Sequence, residues 1–469
     1  MLEGLEISEI SLNQCANLDY GYRLDAEFYN KEYIILENYI AKYRNEKLAA
    51  ITAKIDVGYV GSMTSEYSDD KESVILLQTK NIDEFFVNTN DVKRINRAFH
   101  NILRKSQINY EDILIARSGS FGKASIYLNQ DIINSADIII VSANKNYVNP
   151  YYLVSYLNSR YGKNQLYRFA SGGLQGHVNL TILEQLQVVI LSDKLQSNIE
   201  QLLYEAHNKA ELATKCFSHS ELILLESLGL NDLDVEQGTI SSKRYSDFIG
   251  SGRLDAEYYQ PKYDKLFAKL EGFETKRLGN IVHIDKSIEP GSEAYQNSGI
   301  PFIRVANLSK YGITDTDIFI SPDDYADAIR PKRDTILLSK DGSVGIAYKV
   351  EQDMNVITSG AILHLTVTDK EFMPDYLTLV LNSVVVGMQA ERDAGGSVIQ
   401  HWKPSEIKNV IIPKLSIEIQ QEITDKVRES FALRKESMRL LELAKTAVEV
   451  AIEQGETAAM EFITANKCH

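Results

Sequence analysis

The stretch RLDAEFYNKEY, Arg23 to Tyr33, returns as RLDAEYYQPKY, Arg253 to Tyr263. Seven of the eleven positions are identical, and two more exchange Phe for Tyr and Asn for Gln. An echo at this distance asks whether the whole chain is duplicated, because an overlooked repeat misassigns the entire architecture. The echo continues. LQTKNIDEFF (Leu77 to Phe86) is answered by IRVANLSKYG (Ile303 to Gly312), and DILIARSGSFGKASIY (Asp112 to Tyr127) by DTILLSKDGSVGIAYK (Asp334 to Lys349). NPYYLVSYLNS (Asn149 to Ser159) is answered by MPDYLTLVLNS (Met373 to Ser383), and ASGGLQGHV (Ala170 to Val178) by AGGSVIQHW (Ala394 to Trp402). The offset drifts only from 230 (253 − 23) to about 220, so the chain reads as a tandem duplication of one unit.

Each unit divides in two. The front part carries short β-like runs, SVILLQ, DILIAR and DIIIVSA in the first copy, and IPFIRVA, TILLSK and AILHLTV in the second. Gly, Asn and Asp punctuate them, as strand-and-turn chemistry requires. A helix is expected to start at Pro150 and at Pro374, since proline suits the first helical turn. The front part is therefore a mixed α/β globule. The back part is a long helix. Its apolar stripe in the first copy is Leu195, Ile199, Leu202, Ala206, Ala210, Ala213, Phe217, Ser220 and Leu224; in the second it is Ile423, Val427, Phe431, Met438, Leu441 and Val448. Steps of three and four on a charged helix of about 50 Å call for a partner helix. The economical partner is the other copy, paired antiparallel about a pseudo-twofold axis. The fold class is thus α/β (α+β), with two similar globules separated by two long antiparallel helices in a coiled coil.

The 469 residues are 44% hydrophobic and 25% charged, as in a globular protein, with a formal charge of −15. Charge alone argues against a polyanion partner, but its distribution does not. Lys31 to Ser192 holds 18 basic and 16 acidic residues, whereas Asp193 to Glu236 holds 3 and 9. Cys15, Cys216 and Cys468 are far apart, which points to a reducing cytosol rather than a disulfide framework or zinc site. The start, MLEGLEISEI, lacks a secretory layout, and no run approaches a membrane span. A cytoplasmic protein is expected.

Catalytic signatures are missing. NPYY at Asn149 approaches the Asn-Pro-Pro-Tyr motif of adenine methyltransferases but lacks the second Pro, and its repeat partner is MPDY. GSFGKAS from Gly119 ends like a phosphate loop, but Arg117 stands where the first Gly should be, and GSVGIAY has no Lys. The eight His show no ligand spacing. The chain reads as a reader or scaffold that binds no metal or cofactor of its own.

These residues resemble the specificity subunit of bacterial type I restriction–modification systems. The carriers are the G-S-x-G turn after an apolar strand (Gly119 to Gly122, Gly342 to Gly345), the P-x-Y-L…L-N-S helix, the G-G…Q turn (Gly172 to Gln175, Gly395 to Gln400), and VIIPKLSIEIQQEI from Val410, whose Pro is absent from VVILSDKLQSNIEQ. They cover about 20 to 455, in the same order twice. The resemblance implies two target recognition domains, 31–192 and 259–415, each reading half of a split double-stranded DNA sequence. It also implies a framing segment 1–30 repeated at 237–258, spacer helices 193–236 and 416–455 that set the gap, and a tail 456–469. Partners would be methyltransferase subunits, two of them, and motor-nuclease subunits, with S-adenosylmethionine, ATP and Mg serving those partners. The Arg-Leu-Asp-Ala-Glu stretch would be either a docking segment or a buried network fixing globule to helix. Half-sites in successive major grooves lie about 34–36 Å apart, a distance that helices of about 50 Å can span.

Base reading needs Arg, Lys, Asn, Gln or His on turns, and phosphate contact needs basic or small donors. The DNA-binding candidates are Lys80, Asn81, Arg117, Ser118, Ser120, Lys123, Gln175 and His177 in the first globule. In the second they are Arg304, Asn307, Lys340, Ser343, Gln400 and His401. Competing readings are the DNA-targeting subunit of another defence methyltransferase system, a non-catalytic interaction scaffold, and a stand-alone methyltransferase or nuclease, which the missing motifs disfavour.

Overall fold

The computed structural model describes residues 8–16, 24–117, 122–170, 179–233, 240–394 and 400–467. They form two compact units, one from 1–210 with 435–469 and one from 211–434.

In the first unit the main sheet runs Thr52–Val57, Ile138–Ala143, Ile113–Ala116, Ala124–Ile126, Phe85–Phe86. The first four strands pair antiparallel, and the last pairs parallel. Every residue of Ile113–Ala116 is buried. Side chains alternate across a strand, and both faces are covered. Ile113, Ile115, Ile139 and Val141 enter one core with Tyr152 and Tyr156 of helix Pro150–Asn158. Leu114, Ala116, Ile138 and Ile140 enter another with Leu77 and Ile108. Two-sided burial is why these strands are unbroken apolar runs. A second sheet sets Val74–Leu77 parallel to Ile133–Ser135.

The second unit repeats this plan. Val282–Lys286, Ile362–Val367, Ile336–Ser339 and Ala347–Lys349 follow in the same order, all antiparallel. Ile336, Leu338, Leu363 and Leu365 face one core, and Leu337 and Ile362 another. Ile300–Ile303 lies parallel to Ile357–Thr358. Even the backbone exceptions recur. Glu111 and Asp334 have φ of 66° and 65°, and Gly122 and Gly345 have φ of 85° and 87°. The left-handed turn accounts for the last glycine of G-S-x-G, since only glycine enters it without a Cβ penalty.

The P-x-Y-L…L-N-S motif is a set of clasps. Pro150 and Pro374 each open a helix, Pro150–Asn158 and Pro374–Asn382, as expected. The Tyr152 hydroxyl donates to Val189 O at 2.6 Å, and that of Tyr376 to Pro413 O at 2.8 Å. Asn158 accepts from Ala124 N–H and donates back to Ala124 O at 2.7 Å; Asn382 does the same with Ala347. Gln165 and Gln389 hold the strand before each spacer helix, accepting from Gln187 N–H and Ile411 N–H. Asn149 of NPYY is a helix cap, accepting from Tyr151 N–H and donating to Glu200 at 2.7 Å. Its hydrogen bonds are spent on structure.

The framing segments are held alike. The Arg168 guanidinium lies 4.2 Å from the Phe28 ring, and that of Arg392 lies 5.0 Å from the Tyr258 ring. Arg253 bonds both oxygens of Asp255 at 2.6 Å and stacks 4.9 Å over Tyr258.

The long helices are Asp193–Ser227 and Ile417–Gln454. In the first unit Leu195, Ile199, Leu202 and Ala206 pack with Ala444, Ala447, Val448 and Ala451. The pairing is antiparallel there, since Ser192 bonds Glu456 whereas Ala206 O accepts from Ser437 Oγ at 2.8 Å. In the second unit Phe217 and Leu224 pack with Ile423 and Val427, and Ser430 Oγ donates to Ala213 O at 2.6 Å. The stripe of the first helix is buried as read, with Ala210 half-buried. In the second, Ile423, Val427 and Val448 are buried and Phe431 and Leu441 half-buried as read, but Met438 is 70% exposed, and buried Ser437 and Leu440 take the seam there. An apolar-only pattern steps over a small serine, yet a serine that bonds its partner's backbone lets two helices approach closely. Among the described residues, no helix is long and apolar enough to cross a membrane.

Candidate nucleic-acid interface

In the second unit the two candidate turns meet. Asp341–Gly342, at the G-S-x-G turn, pairs antiparallel with Gln400–His401, so Asp341 faces His401 and Gly342 faces Gln400. The Asp341 carboxylate accepts from His401 Nδ1 at 2.8 Å and from the Lys340 ammonium. Burial pushes the Asp341 carboxyl up, but the hydrogen bonds of Lys340 and His401 outweigh it and hold the group below its usual range. Lys340 is otherwise a strut: its side chain is buried, its N–H donates to Ala361 O at 2.9 Å, and its carbonyl accepts from Trp402 N–H at 2.8 Å. Ser343 and Gln400 are exposed, and the Ser343 carbonyl accepts from Ser339 Oγ at 2.6 Å.

Arg304 heads the turn Val305–Asn307, its N–H donating to Asn307 Oδ1 at 3.1 Å. Asn307 Nδ2 donates to Asp315 O at 3.0 Å, so Asn307 shapes the turn. Arg304 is exposed and forms no ion pair with the described residues. It lines, with Tyr295, Asp341, Ser359 and His401, an open cleft of about 490 Å³. Arg304 and His401 therefore share one concave surface, with Lys340 behind it, and Ser343 and Gln400 follow on the same ribbon.

In the first unit Asn81 repeats the role of Asn307. It is buried, accepts from Gln78 N–H at 2.9 Å, and donates to Asn88 O and Asp91 O. The basic candidates are each held by a carboxylate: Lys80 by Asp91 at 2.5 Å, Arg117 by Asp137 at 3.1 Å, and Lys123 by Asp83 at 3.1 Å. Such exposed pairs are worth about 0–1 kcal/mol, so an arriving phosphate can displace the acid at small cost. Ser118, Ser120, Gln175 and His177 lie outside the described residues.

Two residues escaped the sequence reading. A pattern of hydrogen-bond donors does not report Asp341, an acceptor that sits between Lys340 and the ribbon partner His401. Gln78 occupies the place of Arg304, each preceding a short turn closed by an Asn side chain; the aligned LQTKN and IRVAN stretches carry that signal. No group of His, Cys, Asp and Glu suited to hold a metal occurs among the described residues.

Residues 270–436 match the Type I restriction modification DNA specificity domain. The search of solved structures returns the S subunit of a type I restriction–modification system from M. genitalium, at 12% identity and a TM-score of 0.39, covering 89% of this chain and 96% of that one. It also returns the HsdS subunit from Thermoanaerobacter tengcongensis, at 14% identity and 0.28, covering 88% and 97%. The search of curated proteins returns no match. The match to the specificity domain lies in the second unit, and the first unit repeats the strand order found there.

Proposed function

We propose that the chain reads a two-part DNA target, one half with each unit, and carries methyltransferase subunits to it, with motor-nuclease subunits joining to form the restriction enzyme. The observation that carries this is one repeated scaffold whose matching turns bear different polar side chains. The turn before Asn81 presents Gln78, and the matching turn before Asn307 presents Arg304. Gln pairs bidentately with adenine and Arg with guanine in the major groove. Equal backbone with exchanged functional groups is what two unlike half-sites require. The spacer helices set the interval between halves, and methyl transfer with its S-adenosylmethionine belongs to the partners.

The test is the methylome of a host producing the chain with its methyltransferase. Arg304→Ala should relax or lose one base of one half-site, a discrimination of about 1–3 kcal/mol, while the other half stays intact. Gln78→Ala should do the same to the other half. Altered methylation in both halves from either single change would end this reading.

A further inference from the structure

In both units a second segment runs beside the turn that presents Gln78 or Arg304. Ile133–Ser135 pairs parallel with Val74–Leu77, and Ala136 N–H donates to Leu77 O at 2.9 Å. On its other side the same strand end meets Tyr59, whose N–H donates to Ser135 O at 2.9 Å, in a parallel bridge between Tyr59 and Ala136. The second unit builds the same crossing. Ile300–Ile303 pairs parallel with Ile357–Thr358, Ser359 N–H donates to Ile303 O at 2.8 Å, and Ile288 bridges Ser359. The residue after the bridge is Val60 in one unit and Glu289 in the other; the residue after the outer strand is Gln78 or Arg304. These are two matched pairs, Val60 with Gln78 and Glu289 with Arg304, each flanking one central strand end. Neighbouring strands lie about 4.8 Å apart, so the members of a pair start roughly 10 Å from each other, within a major groove of about 12 Å.

Val60 is 67% exposed, Glu289 and Arg304 are exposed, and Gln78 is half-buried. Glu289 and Arg304 line the same open cleft. Glu289 pairs with Lys286 at 3.2 Å, an exposed contact that yields at small cost. Gly360 on the cleft wall gives the glutamate room, since a Cβ there would stand 2.4 Å from Glu289 Cγ. The matching residue of the first unit is Asp137, tied to Arg117. The pairs divide as base pairs do. Gln bonds adenine, whose partner thymine shows a methyl group in the major groove; Arg bonds guanine, whose partner cytosine shows an amino donor. Val60 is apolar, as the methyl requires, and Glu289 is an acceptor, as the amino group requires. We propose that each pair reads both strands of one base pair, Gln78 with Val60 an A·T pair and Arg304 with Glu289 a G·C pair. The carboxylate also excludes thymine, whose O4 is itself an acceptor. Lys286 beside it offsets the charge that phosphates would repel. The inference rests on the reading above, that these turns meet DNA, and adds the contact to the second strand.

The experiment uses the full chain in complex with its cognate methyltransferase. Dissociation constants are measured for duplexes in which each position of the methylated motif is substituted in turn. Arg304→Ala first locates the position that Arg304 reads. There Glu289→Gln, nearly the same shape, should cut the preference for G·C over A·T about tenfold, because its amide can donate to thymine O4. Exchanging the pair, Arg304→Gln with Glu289→Val, should turn that position from G·C to A·T. Gln78→Arg with Val60→Glu should turn the matching position of the other half-site from A·T to G·C. None of the four side chains is buried, and an unchanged thermal midpoint checks that the fold persists; if an exchanged variant unfolds, Glu289→Gln alone decides. A preference altered by Arg304→Ala but not by Glu289→Gln would refute the second-strand contact and leave the underlying reading standing. No altered position with Arg304→Ala would overturn that reading itself. An exchanged pair that folds and keeps its old preference, or binds no duplex, would also refute the pairing.

Discussion

His364 shows how one buried residue ties the second unit to pH. It stands on the central strand Ile362–Val367, opposite Asp285 and Leu337, and is 4% exposed. Its Nε2 lies 2.8 Å from the Thr358 hydroxyl, which can donate to the unprotonated nitrogen. Burial pulls the imidazole from 6.5 down to about 4, against a smaller upward pull from Asp285. The folded state therefore resists a proton that the unfolded chain accepts once pH drops below 6.5. Stability due to this group is complete above that value and is lost as pH falls toward 4, by roughly 3 kcal/mol in all. His364→Gln cannot titrate. The gap between the urea midpoints of wild type and variant should narrow or reverse between pH 7 and pH 4.5, and a gap independent of pH would refute the assignment.

At the scale of elements, two serines govern how closely the long helices approach. Ser437 and Ser430 are buried and bond the facing backbone at Ala206 O and Ala213 O, respectively. Enlarging such a residue forces packed helices apart, at about 1–3 kcal/mol. Ser437→Leu, which the apolar stripe alone would recommend as an improvement, should instead lower the midpoint of chemical unfolding. Ser437→Ala, which removes the hydroxyl and keeps the close approach, should cost about 1 kcal/mol. If the leucine variant were the more stable, Ser437 would not be the residue that sets the close approach of the helices.

At the scale of the whole molecule, duplication separates what is shared from what is free to change. The clasps Asn158 and Asn382, Gln165 and Gln389, and Tyr152 and Tyr376 hold the same positions in both units. The turns they support carry different side chains. Exchanging 31–192 for the corresponding segment of a relative should accordingly alter one half of the methylated motif and keep the other half and the gap. Methylome sequencing reads this directly, and a change in both halves would mean that the units do not read independently.

Duplication, alternation of strand and turn, the proline helix starts and the first helix's seam were legible in the sequence, because each depends on periodicity or backbone preference within a few residues. The candidate surface was legible only in part. Lys340 and Arg117 are basic residues on turns, as base or phosphate contact needs, but ion pairs with Asp341 and Asp137 occupy them, and those partners come from chain geometry that spacing does not report. Asn81 and Asn307 carry amides of the kind base contact needs, but folding spends those amides on turns. The sequence by itself determined that one unit occurs twice and which residues each copy keeps, since local propensity and repetition are written in the order of residues. Only the tertiary structure decided which kept residues point inward and which outward, and so set Arg304 and His401 around one cleft and left Leu24 and Leu254 in solvent. Burial depends on what the rest of the chain brings alongside.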